Sequence, residues 1–206
     1  MTTIDTPRLH LRPWDDKDAP ALYELARDPR IGMLCGWKPY EHIDDARQAL
    51  STFLAAPDSY AVMLASTGEL VGSIALRIDT DSPEASLADI GYWIGAPYWG
   101  KGYATEAGDA IIGRARELGV KTIVLKYFDG NSASRRVSEK LGFAWRSREE
   151  GVEYPLIGKR LIKLALFRQG QMVVIRVDNW FDGRLNTDAG GRLTTIKPYT
   201  VRDGWG

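Results

Sequence analysis

Apolar and polar residues alternate in RLHLRPW, with Leu9 and Leu11 set between Arg8, His10 and Arg12. Period two predicts a half-buried strand that stops at Pro13. From residue 15 to 27 the spacing becomes helical, with Asp residues at the start and Leu22, Leu25 and Ala26 forming a stripe; Pro29 predicts its end. A second helix is predicted over 44–55, carrying Ala46, Leu50, Phe53 and Leu54 and closing before Pro57. Three β-rich runs follow at 60–65, 69–78 and 86–94, the first two joined by Ser66-Thr67-Gly68. Such short connections predict an antiparallel meander. Residues 102–118 return to helical spacing through Ala104, Ala107, Ile111, Ile112 and Ala115, with Gly119 placed to cap the end. Then come a strand at 121–127, a helix at 132–141 between Asn131 and Gly142, and closing strands at 143–148 and 160–167.

Helices early, a hairpin run, then strand and helix in turn predict a mixed α/β (α+β) domain around one sheet. That domain is assigned to residues 1–168. Residues 169–206 differ in character: MVVIRV can form a strand, but the remainder mixes Asp-Gly and Gly-Gly turn pairs with short alternating pieces. They read as a β-rich C-terminal extension, either a hairpin at the sheet edge, a partner contact or a loosely ordered tail.

Lys plus Arg and Asp plus Glu both total 27, so the overall charge points neither to nucleic acid nor to an anionic membrane. No apolar run approaches the ~18 residues that span a bilayer. The single cysteine, Cys35, cannot form an intramolecular disulfide, and MTTIDTPRL lacks the features of a signal peptide. These observations predict a soluble cytoplasmic protein, a monomer or a homodimer.

The stretch GAPYWGKGYATEA carries the local chemistry. Gly95, Gly100 and Lys101 match the start of a P-loop, but Gly102 stands where the Ser or Thr that ligates magnesium is required. A triphosphatase is therefore excluded, and no metal is expected. What remains is a small-residue loop entering a helix, whose free N–H groups and Lys101 suit a pyrophosphate. Gly91 and Gly95 in the strand before it predict a bulge or a close backbone approach there.

TPRLHLRPW, GYWIGAPYWGKGYATEA and NSASRRVSEKLGF, in this order, resemble the GNAT acetyltransferase superfamily, and within it the ribosomal-protein alanine N-acetyltransferases. The resemblance spans residues 6–167. It implies a single GNAT-like domain with a central, mostly antiparallel sheet, splayed at an acetyl-CoA cleft between strands 88–94 and 122–127 and flanked by helices. The family's pyrophosphate loop begins with Gln or Arg; Pro97 stands there and removes one backbone N–H. By position, the resemblance implies that Trp93, Ile94, Trp99, Gly100, Lys101, Gly102, Tyr103, Ala104, Asn131 and Ser134 bind acetyl-CoA. The resemblance also places a bulge near Trp93, which would turn a backbone N–H toward the thioester carbonyl.

The reaction implied is direct attack of a primary amine, on a protein N-terminus or a small molecule, with no acyl-enzyme. An incoming ammonium must first lose a proton. Glu153 falls on the position that the ribosomal-protein branch uses as base, and Asp89 on an acidic position used by other members. Many members place Tyr seven residues after the motif's Asn to protonate the leaving thiolate; Ser138 stands there instead. Ser134 matches the serine of the ribosomal-protein branch. Trp37, Tyr92 and Tyr154 are the aromatics expected to shape the acceptor pocket. Cys35 as a nucleophile lacks a recognisable histidine partner, and no Gly-x-Ser-x-Gly elbow is present. The alternative reading is a non-catalytic acyl-CoA-binding or interaction module of the same fold.

Overall fold

The computed structural model describes residues 2–79, 86–154, 158–168, 184–187 and 193–197; from residue 146 onward it describes strand pairing only. Strand β1 (Ile4–Asp5) pairs with β2 (Leu9–Pro13). Asp15 then opens a short 3-10 turn through a capping box with Asp18, and Asp18 also takes a two-pronged ion pair from Arg12 at 2.7 Å for each bond. That pair ties the end of β2 to the start of α1 (Ala19–Ala26).

Pro29 does not simply end a helix, as the spacing predicted. It is the first residue of a new one, α2 (Pro29–Cys35), whose N-cap Asp28 accepts from the Arg30 N–H. Proline at the first helical position loses only an N–H that has no helical partner there. Gly36, at φ 87°, ends α2 in the left-handed region. Helix α3 (Ile43–Ser51) follows, shorter than the 44–55 expected because a 3-10 turn at Phe53–Ala55 replaces its last part.

Strands β3 (Ser59–Leu64), β4 (Leu70–Ile78) and β5 (Leu87–Ile94) form the antiparallel meander anticipated from their connections. Helix α4 (Tyr103–Glu117) crosses to β6 (Thr122–Phe128), which lies parallel to β5; α5 (Ser132–Lys140) leads to a hairpin of β7 (Ala144–Tyr154) and β8 (Gly158–Arg168). These strands are longer than the sequence suggested, because EEGVEY continues β7. Among the described residues the eight strands make one sheet in the order β1-β2-β3-β4-β5-β6-β8-β7, antiparallel everywhere except β5–β6. Strands β9 (Arg184–Thr187) and β10 (Leu193–Lys197) pair antiparallel as a separate two-stranded sheet. The MVVIRV run lies outside the described residues.

Both faces of the middle of the large sheet, at β3 and β4, are covered. Leu9, Leu11, Tyr60, Ile74, Ile90 and Leu125 pack with Ala107, Ile111 and Ala115 of α4. Ala61, Met63 and Leu70 face the opposite way, against Leu22 and Ala26 of α1 and Ala46 and Leu50 of α3. Covering both faces explains why SYAVML and LVGSIAL read as near-continuous apolar runs rather than alternating ones. No described helix is long and apolar enough to cross a membrane.

Candidate active site

The sheet is open at one place. Strands β5 and β6 pair from Leu87↔Thr122 to Ile90↔Leu125, and there the pairing stops although both strands continue, to Ile94 and Phe128. On its other side β5 stays paired to β4 without interruption, from Ile78↔Ala88 to Gly72↔Ile94. The bulge expected near Trp93 is therefore not formed; the register shift lies between β3 and β4, where Val71 is the extra residue.

This changes which groups face the gap. The Gly95 N–H donates to Val71 O at 2.8 Å, and a Cβ on Gly72 would meet the Trp93 carbonyl at 2.3 Å. Backbone groups on one strand alternate sides, so Trp93 points toward β4, while Tyr92 and Ile94 turn theirs into the gap. The Ile94 carbonyl accepts from Trp99 Nε1 at 2.6 Å, which fixes that indole at the mouth, with the Arg30 guanidinium over its ring.

Beside the mouth stands the glycine loop. Gly100 and Gly102 have φ of 77° and 83°, a region that favours glycine, and Gly102 is the N-cap of α4. Thr105 and Glu106 donate their N–H groups back to Gly102 O, whereas the N–H groups of residues 100–104 find no partner among the described residues. A run of unpaired donors at the positive end of a 15-residue helix is a ready anion site.

The loop is braced from a distance in sequence. Arg8 donates Nε to Glu106 at 2.7 Å and Nη1 to Lys101 O at 2.9 Å, and Thr6 Oγ1 donates to Glu106 at 2.7 Å. Burial alone would raise the Glu106 pKa, but the hydrogen bonds from Thr6 and Arg8 outweigh it and hold the carboxyl below the ordinary range. Neither Arg8 nor Glu106 was found from the sequence. Glu106 is by itself an acid in the first turn of α4, and its partner lies 98 positions away. A cavity of about 410 Å³ opens along the first turns of α4, between Arg8, Gly102, Thr105, Glu106 and Lys140.

Around the gap itself, Asn131 caps α5 by accepting from the Ser134 N–H at 3.0 Å. Among the described residues Tyr92 Oη is shut off from water and meets no partner in hydrogen-bonding geometry, although Ser134 lies near enough to favour its ionised form. Burial pushes the Tyr92 phenol up to about 12. Ser138 is buried and spends its hydroxyl on Arg135 O at 2.8 Å within its own helix. Helix α2 packs over β5 and β6, bringing Cys35 and Trp37 to the gap; Trp37 meets Trp93 edge-on, ring centres 5.9 Å apart, with its Nε1 buried and unpaired. Burial pushes the Cys35 thiol up to about 12, which makes it a poor nucleophile.

Asp89 sits in the paired half of β5, 7% exposed, bound to Arg77 and with Lys126 Nζ 3.8 Å from its other oxygen. Burial would raise its pKa, but the two cations prevail and the carboxyl is held below the usual range. Glu153 and Tyr154 are the last residues of β7, paired with Lys159 and Gly158. Ile162 of β8 pairs with Phe128 at the end of β6, so Glu153 lies past the level of that end, on the edge strand β7, with β8 between it and β6. The side chains of both lie outside the described residues. No described group of three or more His, Cys, Asp or Glu is placed to hold a metal ion.

Comparison with known proteins agrees with this geometry. The family model of the acetyltransferase (GNAT) domain matches residues 8–144. The uncharacterised N-acetyltransferase p20 of Bacillus licheniformis is 26% identical over 175 residues, covering 81% of this chain and 95% of that protein. A GNAT-family acetyltransferase from Bacillus anthracis superposes with a TM-score of 0.74 at 22% identity, covering 82% of this chain and 100% of that one. RimL, a ribosomal L7/L12 α-N-protein acetyltransferase solved with coenzyme A, gives 0.71 at 19% identity over 81% of this chain and 98% of its own. With the parted strands, the helix N-terminus beside them and a family match across most of the described domain, this chain belongs to the GNAT acetyltransferases.

Proposed function

We propose that this protein transfers the acetyl group of acetyl-CoA directly to a primary amine, on a protein N-terminus or a small molecule. The observation that carries the reading is the end of β5–β6 pairing at Ile90↔Leu125, beside a loop whose N–H groups at 100–104 are unpaired. The gap takes the thioester arm and the loop takes the pyrophosphate, with Lys101 adding a mobile charge. The cavity beside Gly102 and Lys140 offers room for the nucleotide end. Backbone donors at Tyr92 and Ile94, rather than Trp93, face the carbonyl that gains negative charge.

Glu153 is the better base. A carboxylate held low by Arg77 and Lys126, as Asp89 is, accepts a proton poorly at neutral pH, and it sits where the strands are still paired. Asp89 instead fixes the root of the gap. Trp37 and Trp93 form the acceptor side, under α2, and Asn131 holds the turn that presents Ser134. Residues 1–168 carry this activity.

The test is release of free thiol from acetyl-CoA against peptides with varied N-termini, polyamines and aminoglycosides. Turnover with one of these classes, lost in Glu153→Gln and kept in part by Asp89→Asn, is expected. Binding of acetyl-CoA without thiol release for any acceptor would make the protein an acyl-CoA-binding module instead.

A further inference from the structure

Helix α5 leaves the departing sulfur poorly served. The Ser138 hydroxyl is engaged within its own helix, and Ser134 presents a single small hydroxyl at the first turn. Opposite them, on β5, is a larger group. Tyr92 is the second residue after the last β5–β6 pair; its side chain packs on the same side of the sheet as α4, Val137 of α5 and Tyr127 of β6.

Its hydroxyl is the anomaly. A buried polar atom without a partner costs about 1–3 kcal/mol, and phenylalanine would fill the same space without that cost. The ring alone therefore does not account for tyrosine here. An oxygen that is dry, without a partner among the described residues, beside Ser134 and at the edge of an open gap is placed to donate to a group that arrives only with the substrate.

Resting on the acetyl-transfer reading above, we propose that the Tyr92 hydroxyl, with Ser134, donates the hydrogen bond that stabilises the leaving CoA thiolate. As the amine nitrogen bonds to the thioester carbon, the C–S bond breaks and its electron pair passes to sulfur. The proton lost by nitrogen goes to the base and then to solvent. A free thiol titrates near ~8.5, well below a phenol raised to about 12, so the Tyr92 proton stays on oxygen and the sulfur leaves hydrogen-bonded. Among the described residues, the other titratable groups against Tyr92 are Cys35 from α2 and Tyr127 from β6.

The experiment measures affinity for CoA and for acetyl-CoA by calorimetry from about pH 7 to about pH 9.5, a span that brackets a free thiol's pKa of ~8.5. Only CoA ionises at sulfur, so the ratio of the two affinities isolates that atom from the rest of the site. The wild-type protein is expected to gain roughly ten-fold for CoA over acetyl-CoA as pH rises, and Tyr92→Phe to lose that gain while melting at the same or a higher temperature. Ser134→Ala is expected to keep most of it, and Cys35→Ala all of it. With an accepting amine, Tyr92→Phe should lower kcat about 10–100-fold and leave the KM for acetyl-CoA nearly unchanged. A Tyr92→Phe ratio that still rises with pH, or one flattened only by Ser134→Ala, overturns this role and leaves acetyl transfer standing. Failure of the wild-type protein to bind either ligand overturns both.

Discussion

The two four-residue halves of β5 adjoin on one strand and are built for opposite purposes. From Leu87 to Ile90 the strand is paired on both edges, and its one charge, Asp89, has Arg77 and Lys126 beside it. From Gly91 to Ile94 one edge is bare, the Tyr92 hydroxyl is unpartnered, and Trp93 meets a Trp37 whose indole N–H is equally unpartnered. Bonding that is complete rigidifies a sheet but offers nothing to a ligand. The incomplete half depends on the complete half, because only a fixed root holds two bare strand edges apart at a constant distance.

The comparison breaks if both halves respond alike to truncation. Leu125 is fully buried opposite Ile90, and Leu125→Ala should cost about 3–4 kcal/mol in denaturant unfolding through lost burial and the cavity left behind. Tyr92→Phe, two residues beyond that pair, should cost nothing in the same titration, since it removes an atom with no partner. Equal losses would mean that the hydroxyl is structural.

Asp89→Asn comes next. Removing one member of a buried ion pair typically costs 3–5 kcal/mol, but the Arg77 side chain is 62% exposed and can rehydrate, so about 2–3 kcal/mol is expected. The pH dependence has a definite sign. The folded carboxyl titrates below its ordinary value, so its contribution is present above the unfolded pKa of ~3.9 and fades as pH falls toward the folded one. Wild-type stability should fall over that acid window more steeply than that of Asp89→Asn, because the variant loses the Asp89 contribution while Glu106, Asp15, Asp28 and Asp45, also held low, contribute equally to both proteins. Parallel acid limbs would contradict the assignment of Asp89 as the charged root of the gap.

Gly102→Ala tests the loop. A side chain at φ 83° costs about 1–2 kcal/mol in backbone strain, and the Cβ would meet only the Arg8 guanidinium, at 3.3 Å. Relief of that strain turns the N–H groups of the loop, so acetyl-CoA affinity should fall roughly ten-fold. Gly100→Ala, at φ 77° with nothing within 4 Å, isolates strain without any contact. A loss of affinity in Gly102→Ala but not in Gly100→Ala would place the effect on Arg8 rather than on the loop backbone.

The sheet, the meander and the loop were legible because each is written locally: in apolar runs, in short connections and in glycines between a strand and a helix. What sequence could not supply was pairing across distance. The expectation at Trp93 failed for this reason, since the neighbouring glycines mark close approach but not which strand takes the extra residue, and Val71 took it. Pro29 does follow the end of α1 at Ala26, but the helix it begins was not legible, because a proline both ends and begins helices and the Asp28 cap marks the second role. Arg8, Glu106, Arg77 and Lys126 were invisible as site residues. Each is an ordinary surface-type residue in its own segment and acquires a role from a partner that the fold brings to it.

Lys101→Ala is the smallest of these effects and the one that separates field from frame. The Lys101 ammonium lies over the Tyr98 ring at 5.4 Å, while its carbonyl is held by Arg8, so truncation removes the charge and leaves the loop backbone braced. An exposed charge near a helix terminus contributes about 0.3–1 kcal/mol, which predicts a two- to five-fold loss in acetyl-CoA affinity with melting temperature unchanged. At ~0.15 M salt the screening length is about 8 Å, so the wild-type advantage should shrink as salt rises while the Gly102→Ala defect persists. An advantage that salt does not touch would put the ammonium in direct contact with phosphate, making Lys101 part of the loop's fixed donor set rather than of its surrounding field.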